Sequence, residues 1–321
     1  MSEARRCRLG VSFGRESELY SFPEGNPMNS SRTTLFADAI GRLAQSSGSG
    51  KLDLVEPIQA SEKDLTTFHA QEYVDFVKAS SRMGEGYLDY GDTPSFKGVY
   101  EASLYPVGNT LNGLDLIIKG KFDHFFNPVG GLHHARKERA GGFCVFNDVA
   151  IAISRLLEMG MKRVAYVDID AHHGDGVFYS FESDPRVVIG DVHEDGRFLY
   201  PGTGSAAETG RGDGEGTKLN IPMAPGSGDA EFIESFDRIA NFVRGFEPEF
   251  VLFQCGADSL LGDPIAQLKY TPVSHAYAAK KLHDIAHEFC QGRILAMGGG
   301  GYNPLNVSGA WTAVAKELAA V

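Results

Sequence analysis

The sequence predicts an α/β fold in which a parallel sheet is covered by helices on both faces. Three observations carry that reading. Helical patterns alternate with short apolar runs along the 321 residues. The run from Val164 to Ile169 is β-branched and aromatic and stops abruptly at a turn, as a buried strand does. Acids, histidines and glycines gather where such runs end, the edge at which open α/β sheets hold their ligands. In chain order, helices are expected at about 30–46, 61–80, 98–119 and 145–159, followed by the strand Val164–Ile169. Strands Val187–Ile189 and Leu219–Ile221 come next, then a helix at about 229–245 and strand Phe250–Gln254. A helix at about 272–290, strand Ile294–Met297 and a helix at about 304–319 complete the series. Glycine clusters, among them Gly130-Gly131, Gly141-Gly142 and Gly298 to Gly301, mark loops where the backbone turns sharply and approaches a ligand closely.

A chain of this length, 42% hydrophobic, can bury a large core. No repeat is visible, and Ser46-Ser47-Gly48-Ser49-Gly50 is short enough to be a surface loop, so residues 1–321 read as one domain. No apolar run approaches the roughly 18–20 residues that span a bilayer. Met1-Ser2-Glu3-Ala4-Arg5-Arg6 is not followed by the apolar segment of a secretory signal. Cys7, Cys144, Cys255 and Cys290 lie far apart without CxxC spacing, which predicts reduced, buried thiols and neither a disulfide frame nor a thiolate zinc site. A cytoplasmic protein without a membrane partner is expected. The formal net charge of −12 argues against direct nucleic-acid binding. No oligomer is predicted. His275, His283 and His287 fall on one amphipathic helical pattern and are expected to be solvated or half-buried.

The segment from Asp168 to Gly176 holds the densest chemistry. Side chains of one parity share a strand face, so Asp168, Asp170 and His172 converge where the strand ends, and two carboxylates with an imidazole suit a divalent metal. The bland alternative is a pair of acids capping the next helix with His172 and His173 in solvent; it gathers ionisable groups without a counter-ion, which is costly. Asp258, just beyond strand Phe250–Gln254, can supply a third ligand, and three N/O ligands with an open position are the catalytic arrangement of zinc. His133-His134 form a second pair that packing rarely requires, and Asp168 and Asp175 are acids able to orient each ring through its far nitrogen. Tyr302, after the last glycine cluster, either donates a hydrogen bond to an oxyanion or is a packed interfacial tyrosine.

An ordered set of motifs runs over nearly the whole chain. It comprises Pro27-Met28-Asn29 with Arg32, Phe68-His69-x-x-x-Tyr73, Asp92-Thr93-Pro94, Gly130-Gly131-Leu132-His133-His134-Ala135 and Gly142-Phe143-Cys144-x-x-Asn147-Asp148. It continues with Asp168-x-Asp170-x-His172-His173-Gly174-Asp175-Gly176, Tyr200-Pro201-Gly202-Thr203-Gly204, Gly256-Ala257-Asp258 and Gly299-Gly300-Gly301-Tyr302. In this set the chain resembles the zinc-dependent histone deacetylase superfamily, which includes acetoin-utilisation-type proteins and acetylpolyamine amidohydrolases. The Gly-Gly-Leu-His-His form points to the acetoin-utilisation-type branch.

The resemblance implies an arginase–deacetylase-type domain with a parallel sheet of about eight strands. It implies one catalytic Zn²⁺ per chain on Asp170, His172 and Asp258. His133 and His134 would flank the attacking water, paired with Asp168 and Asp175, and His134 would take its proton and return one to the leaving amine. Tyr302 would polarise the acyl carbonyl. Gly142, Phe143 and Tyr200 would line a narrow tunnel, Tyr200 standing where many relatives carry Phe. Asp92 would hold the substrate backbone at the rim, and Arg32 would line an internal acetate channel. Asp168, with main-chain atoms near His172, matches a structural K⁺ site whose further position, often Ser, is Asp191 here.

The implied reaction is hydrolysis of an N-acetyl amide to acetate and a free amine. Polyamine-selective relatives place an acidic gatekeeper after a Gly-Asp-Pro turn, whereas Gly262-Asp263-Pro264 is followed here by Ile265. With Asp92 kept, this favours an acyl-lysine protein or peptide over an acetylated polyamine. Glu24, Glu85 and Asp89 lie in nearby loops and weigh the other way. Two remoter readings are an arginase-like ureohydrolase with two manganese ions and a silent protein that binds acylated partners.

Overall fold

The computed structural model describes residues 7–23, 25–47 and 51–320. The amino-terminal stretch Met1 to Arg6, Glu24 and the Gly48-Ser49-Gly50 part of the expected surface loop lie outside the described residues. Among the described residues eight strands are formed: β1 (Leu9–Ser12), β2 (Leu52–Val55), β3 (His124–Asn127), β4 (Val164–Asp168), β5 (Val187–Glu194), β6 (Lys218–Met223), β7 (Phe250–Gln254) and β8 (Ile294–Met297). They make one sheet in the order β2-β1-β3-β8-β7-β4-β5-β6, with every neighbouring pair parallel.

Both faces are covered, which is why β4 and β7 are apolar up to their last residues, Asp168 and Gln254. Successive side chains of a strand point to opposite faces. Ala165 and Val167 therefore enter one core, with α1 (Thr34–Ser46), α7 (Asp229–Gly245), α8 (Pro272–Phe289) and α9 (Pro304–Ala319). Val164 and Tyr166 enter the other, with α3 (Gln71–Met83), α4 (Val99–Ile118), α5 (Asp148–Glu158) and α6 (Asp175–Phe181). The remaining helix, α2 (Glu62–Leu65), is a single turn. Among the described residues, no helix is long and apolar enough to cross a membrane.

Several elements differ from the sequence expectation. The helix expected at 61–80 is two: a reciprocal cap between Ser61 and Asp64 starts α2, and the chain then breaks around His69 before α3 begins. The helix expected at 30–46 opens with a 3₁₀ turn, Ser30–Thr33, ahead of α1. Asn147 caps α5 by accepting from Ala150 N–H, so Val145 and Phe146 belong to the preceding loop. β1, β2, β3 and α6 were not anticipated from residue pattern.

Candidate active site

Sheet register sets the site. Asp168, the last residue of β4, lies beside Asp191 of β5 and Gln254 of β7, and Gln254 lies beside Met297 of β8. The chain leaves β4 at this edge and turns Asp170 and His172 inward, while Asp258 arrives from the loop after β7. Asp170 Oδ2 accepts from Gln254 Nε2 at 2.7 Å and from Gly300 N at 2.8 Å. Asp258 Oδ1 accepts from Ala171 N at 2.8 Å. The other oxygens, Asp170 Oδ1 and Asp258 Oδ2, each lie 3.0 Å from His172 Nδ1. Glycine is required around them: a Cβ on Gly256 would sit 2.1 Å from Asp170 Oδ2, and one on Gly300 would sit 2.1 Å from Asp258 Oδ2.

This donor set fits a small dication. Its three ligand atoms lie within 4.8 Å of one another and all three residues are buried. Two ligands about 2.0–2.2 Å from a tetrahedral ion stand about 3.3 Å apart, close to the spacing seen here. The outer carboxylate oxygens are already satisfied, the usual way in which neighbours orient a metal's ligands. Charge balance agrees. Burial alone would lower His172, but hydrogen bonds and charge from Asp170 and Asp258 lift it to about 10. Burial and the Asp170 charge raise Asp258 to about 7. A cluster that captures a proton in this way has a place for positive charge.

The two adjacent histidines behave oppositely. His133 Nδ1 meets Asp168 Oδ2 at 2.7 Å, and His134 Nδ1 meets Asp175 Oδ1 at 2.7 Å. The Nε2 atoms of the two rings are 3.1 Å apart. Burial works against a charge on His133, yet Asp168 and Asp170 raise it to about 9. His134 is lowered to about 4 by burial first and by His133 second, with Asp175 opposing. At neutral pH His134 is therefore uncharged. With Asp175 accepting from its Nδ1–H, its Nε2 carries the lone pair. Arg136, which sequence reasoning missed, places Nη2 2.6 Å from Asp175 Oδ2.

Above these groups opens a pocket of about 140 Å³ whose walls are Gly142, Phe143, Tyr200 and Tyr302, with His134 and His172 also lining it. Asp92 and Ile265 also line it, and Asp92 is exposed. Gly142 has φ 51°, and a Cβ there would lie 2.4 Å from His134 Cδ2, so only glycine admits this approach. Phe143 is held at φ 66°, a region bulky side chains rarely occupy. Thr93 Oγ1 accepts from its N–H at 3.1 Å and Tyr20 O–H donates to its carbonyl at 2.6 Å. Neither Tyr20 nor the Thr93 contact was singled out from sequence; both lie far from Phe143 along the chain.

Tyr302 packs edge-on to Phe143, with ring centroids 6.0 Å apart, and its N–H donates to Asp263 Oδ2 at 2.8 Å. Asp263 Oδ1 accepts from Ile265 N at 2.9 Å, so one carboxylate positions both residues. Burial and the charges of Asp258 and Asp170 raise the Tyr302 phenol well above its ordinary value. Arg32, buried beneath it, donates to the carbonyls of Gly301 at 2.7 Å and Gly299 at 2.6 Å. Asp191 Oδ1 meets His193 Nδ1 at 2.6 Å, and its Oδ2 accepts from Gly174 N at 2.9 Å.

Two expectations change. Asp89 does not face the mouth: its Oδ1 accepts from the N–H groups of Gly91, Asp92 and Thr93 and its Oδ2 from Thr93 Oγ1, which builds the rim loop. His275 is not solvated; it is fully buried, with Nε2 2.8 Å from the Gly256 carbonyl.

With this geometry in place, residues 26–318 match the histone deacetylase domain. The chain belongs to the histone deacetylase family. It is 38% identical over 311 residues to the acetoin utilization protein AcuC of Bacillus subtilis (strain 168), covering 94% of this chain and 79% of that protein. It is 34% identical over 300 residues to a probable deacetylase of Archaeoglobus fulgidus, covering 92% of this chain and 81% of the relative. Among solved structures, the HDA15 HD domain superposes with a TM-score of 0.90 at 29% identity, covering 98% of this chain and 89% of that one. A histone deacetylase homologue complexed with SAHA gives 0.84 at 29% identity, covering 98% and 84%. The family is that of deacetylases.

Proposed function

We propose that this chain hydrolyses N-acetyl amides with one zinc ion held by Asp170, His172 and Asp258, releasing acetate and a free amine, and that acyl-lysine of proteins or peptides is the preferred substrate. The observation that carries this reading is the convergence on one narrow pocket of three buried metal donors, an uncharged imidazole and a protonated phenol. A bound zinc ion would act as a Lewis acid, lowering the pKa of a coordinated water towards about 7 and polarising the acyl carbonyl. His134 Nε2 accepts the proton of the attacking water, and Asp175, backed by Arg136, steadies the imidazolium that results. The same nitrogen returns a proton to the departing amine. Tyr302 donates to the carbonyl oxygen as negative charge grows there. His133, held positive by Asp168, lies beside His134 and adds to the favourable field.

Arg32 has five N–H donors, and the two glycine carbonyls leave some of them to meet an acetate product. Asp168 and Asp191 are proposed to hold a structural K⁺, with Asp191 already braced by His193. Substrate preference rests on the mouth: Ile265 is aliphatic, Asp92 is the acid among the lining residues, and Asp89 is committed to its loop. The test is kcat/KM across acetyl-lysine peptides, acetylputrescine, acetylcadaverine and acetylspermidine. The peptide value is expected to equal or exceed the others. A tenfold preference for any acetylated amine, about 1.4 kcal/mol, overturns the substrate reading. Absence of turnover on every substrate by the zinc-loaded chain overturns the activity.

A further inference from the structure

At the opposite edge of the sheet, four side chains from three distant segments meet. Cys7 precedes β1, His124 opens β3, and His283 and His287 occupy the last turns of α8. Their ligand atoms all lie within 4.8 Å of one another. Cys7 Sγ is 3.2 Å from His287 Nε2 and 4.0 Å from His283 Nε2. A thiolate and an imidazole on one tetrahedral zinc ion stand about 3.6 Å apart, between those two distances. His124 is fully buried, yet neither of its ring nitrogens makes a hydrogen bond of standard geometry. Its ring lies 4.9 Å from that of His283 and 5.3 Å from that of His287. Main-chain groups of Gly292 and Asp123 act on the ring without reaching that geometry, and a buried imidazole so loosely answered is costly to keep unless a stronger partner meets it. Gly292 closes the cradle: a Cβ there would lie 2.7 Å from His287 Cε1.

We propose that Cys7, His124, His283 and His287 form a second metal site, of one thiolate and three imidazoles, that binds Zn²⁺ and fastens the start of β1 to β3 and α8. One sulfur and three nitrogens suit a borderline-soft ion, and four protein ligands leave no open position, so the role is structural.

Cobalt separates this site from the catalytic one. The full chain is stripped of metal with a chelator and titrated with Co²⁺. Two ions per chain are expected, together with a near-ultraviolet thiolate-to-cobalt charge-transfer band, which a centre of two carboxylates and one imidazole cannot give. In Asp258→Ala the stoichiometry falls to one and the band persists. In Cys7→Ser the band disappears, and in His287→Gln Co²⁺ affinity at this site falls at least tenfold. One ion per chain in the unaltered protein, the absence of a thiolate band, or a band that survives Cys7→Ser overturns the proposal. The wild-type titration decides the matter even if a variant fails to fold.

Discussion

The two edges of the sheet gather similar side chains in opposite ways. At the carboxyl edge, Asp170 and Asp258 have their outer oxygens tied by Gln254, Gly300 and Ala171, so both carboxylates are oriented before any ion arrives. At the amino edge, neither ring nitrogen of His124 makes a hydrogen bond of standard geometry, and the other candidate ligand atoms lie within 4.8 Å. The first edge leaves a pocket above the donors; the second holds its donors, two buried and two half-buried, between strand starts and the end of a helix.

The largest expected effect breaks one edge and spares the other. Asp258→Ala removes a donor whose loss leaves Asp170 and His172 without their third partner. Deacetylase turnover is expected to vanish, while the thiolate-to-cobalt band of the amino edge stays. Full metal content and turnover in this variant would remove Asp258 from the ligand set.

Next are the groups that touch the reacting atoms without holding the ion. His134→Ala and Tyr302→Phe are each expected to lower kcat by about 10²–10³ with metal content unchanged. Near-normal kcat in either, with zinc measured at the wild-type level, contradicts the assigned role.

How legible each edge was follows from sequence distance. Asp168 to Asp175 lie in one stretch at the end of a long apolar strand, so strand parity alone brought three of them together. The amino edge joins Cys7 to His283 and His287 across 276 and 280 residues, and no local period reports such a meeting. Absence of CxxC spacing spoke against a thiolate site, but it tests only ligands that are neighbours in sequence. The strands that were missed fail for related reasons. β1 contains Gly10, whose missing side chain makes room for Phe122 and Phe125, and β3 begins with His124 and ends with Asn127. β2 lies at the sheet's end and exposes Asp53 and Leu54, so its pattern is not that of a buried strand. The loop contacts of Tyr20 and Thr93 with Phe143 were invisible for the same reason as Arg136 with Asp175: a single polar residue carries no period.

Acid unfolding sharpens the contrast, because His69 and His275 show how a buried histidine is kept without a metal. Each has a backbone partner: His69 Nε2 accepts from Asn147 N at 2.9 Å, and His275 Nε2 lies 2.8 Å from the Gly256 carbonyl. Burial lowers both to about 4. An unfolded histidine titrates near 6.5, so between these values the unfolded chain binds more protons. The stability these rings contribute is therefore complete above about pH 6.5 and is lost as pH falls towards 4. At pH 5 the loss should be about 2 kcal/mol per ring. Urea unfolding of the metal-free chain at pH 7 and pH 5 measures it, and a midpoint that does not move rejects the assignment.

The smallest expected effect lies at the pocket mouth, where the carboxyl edge meets substrate and the amino edge has no counterpart. Ile265 lines the pocket and Asp263 fixes its N–H, so a new side chain there keeps the backbone position. Ile265→Glu sets a carboxylate at the rim, within reach of a distal ammonium on a bound acetylpolyamine. Between such charges in a partly solvated setting the attraction at about 4 Å lies between about 1 kcal/mol in water and 4 kcal/mol near a protein surface. The lower part of that range applies at an open rim, where salt screens the pair. kcat/KM for acetylputrescine relative to an acetyl-lysine peptide is expected to rise about tenfold, or about 1.4 kcal/mol. Raising ionic strength should shrink the gain. A ratio unchanged at low salt means that the distal amine does not pass Ile265, and selectivity must then be sought at Asp92.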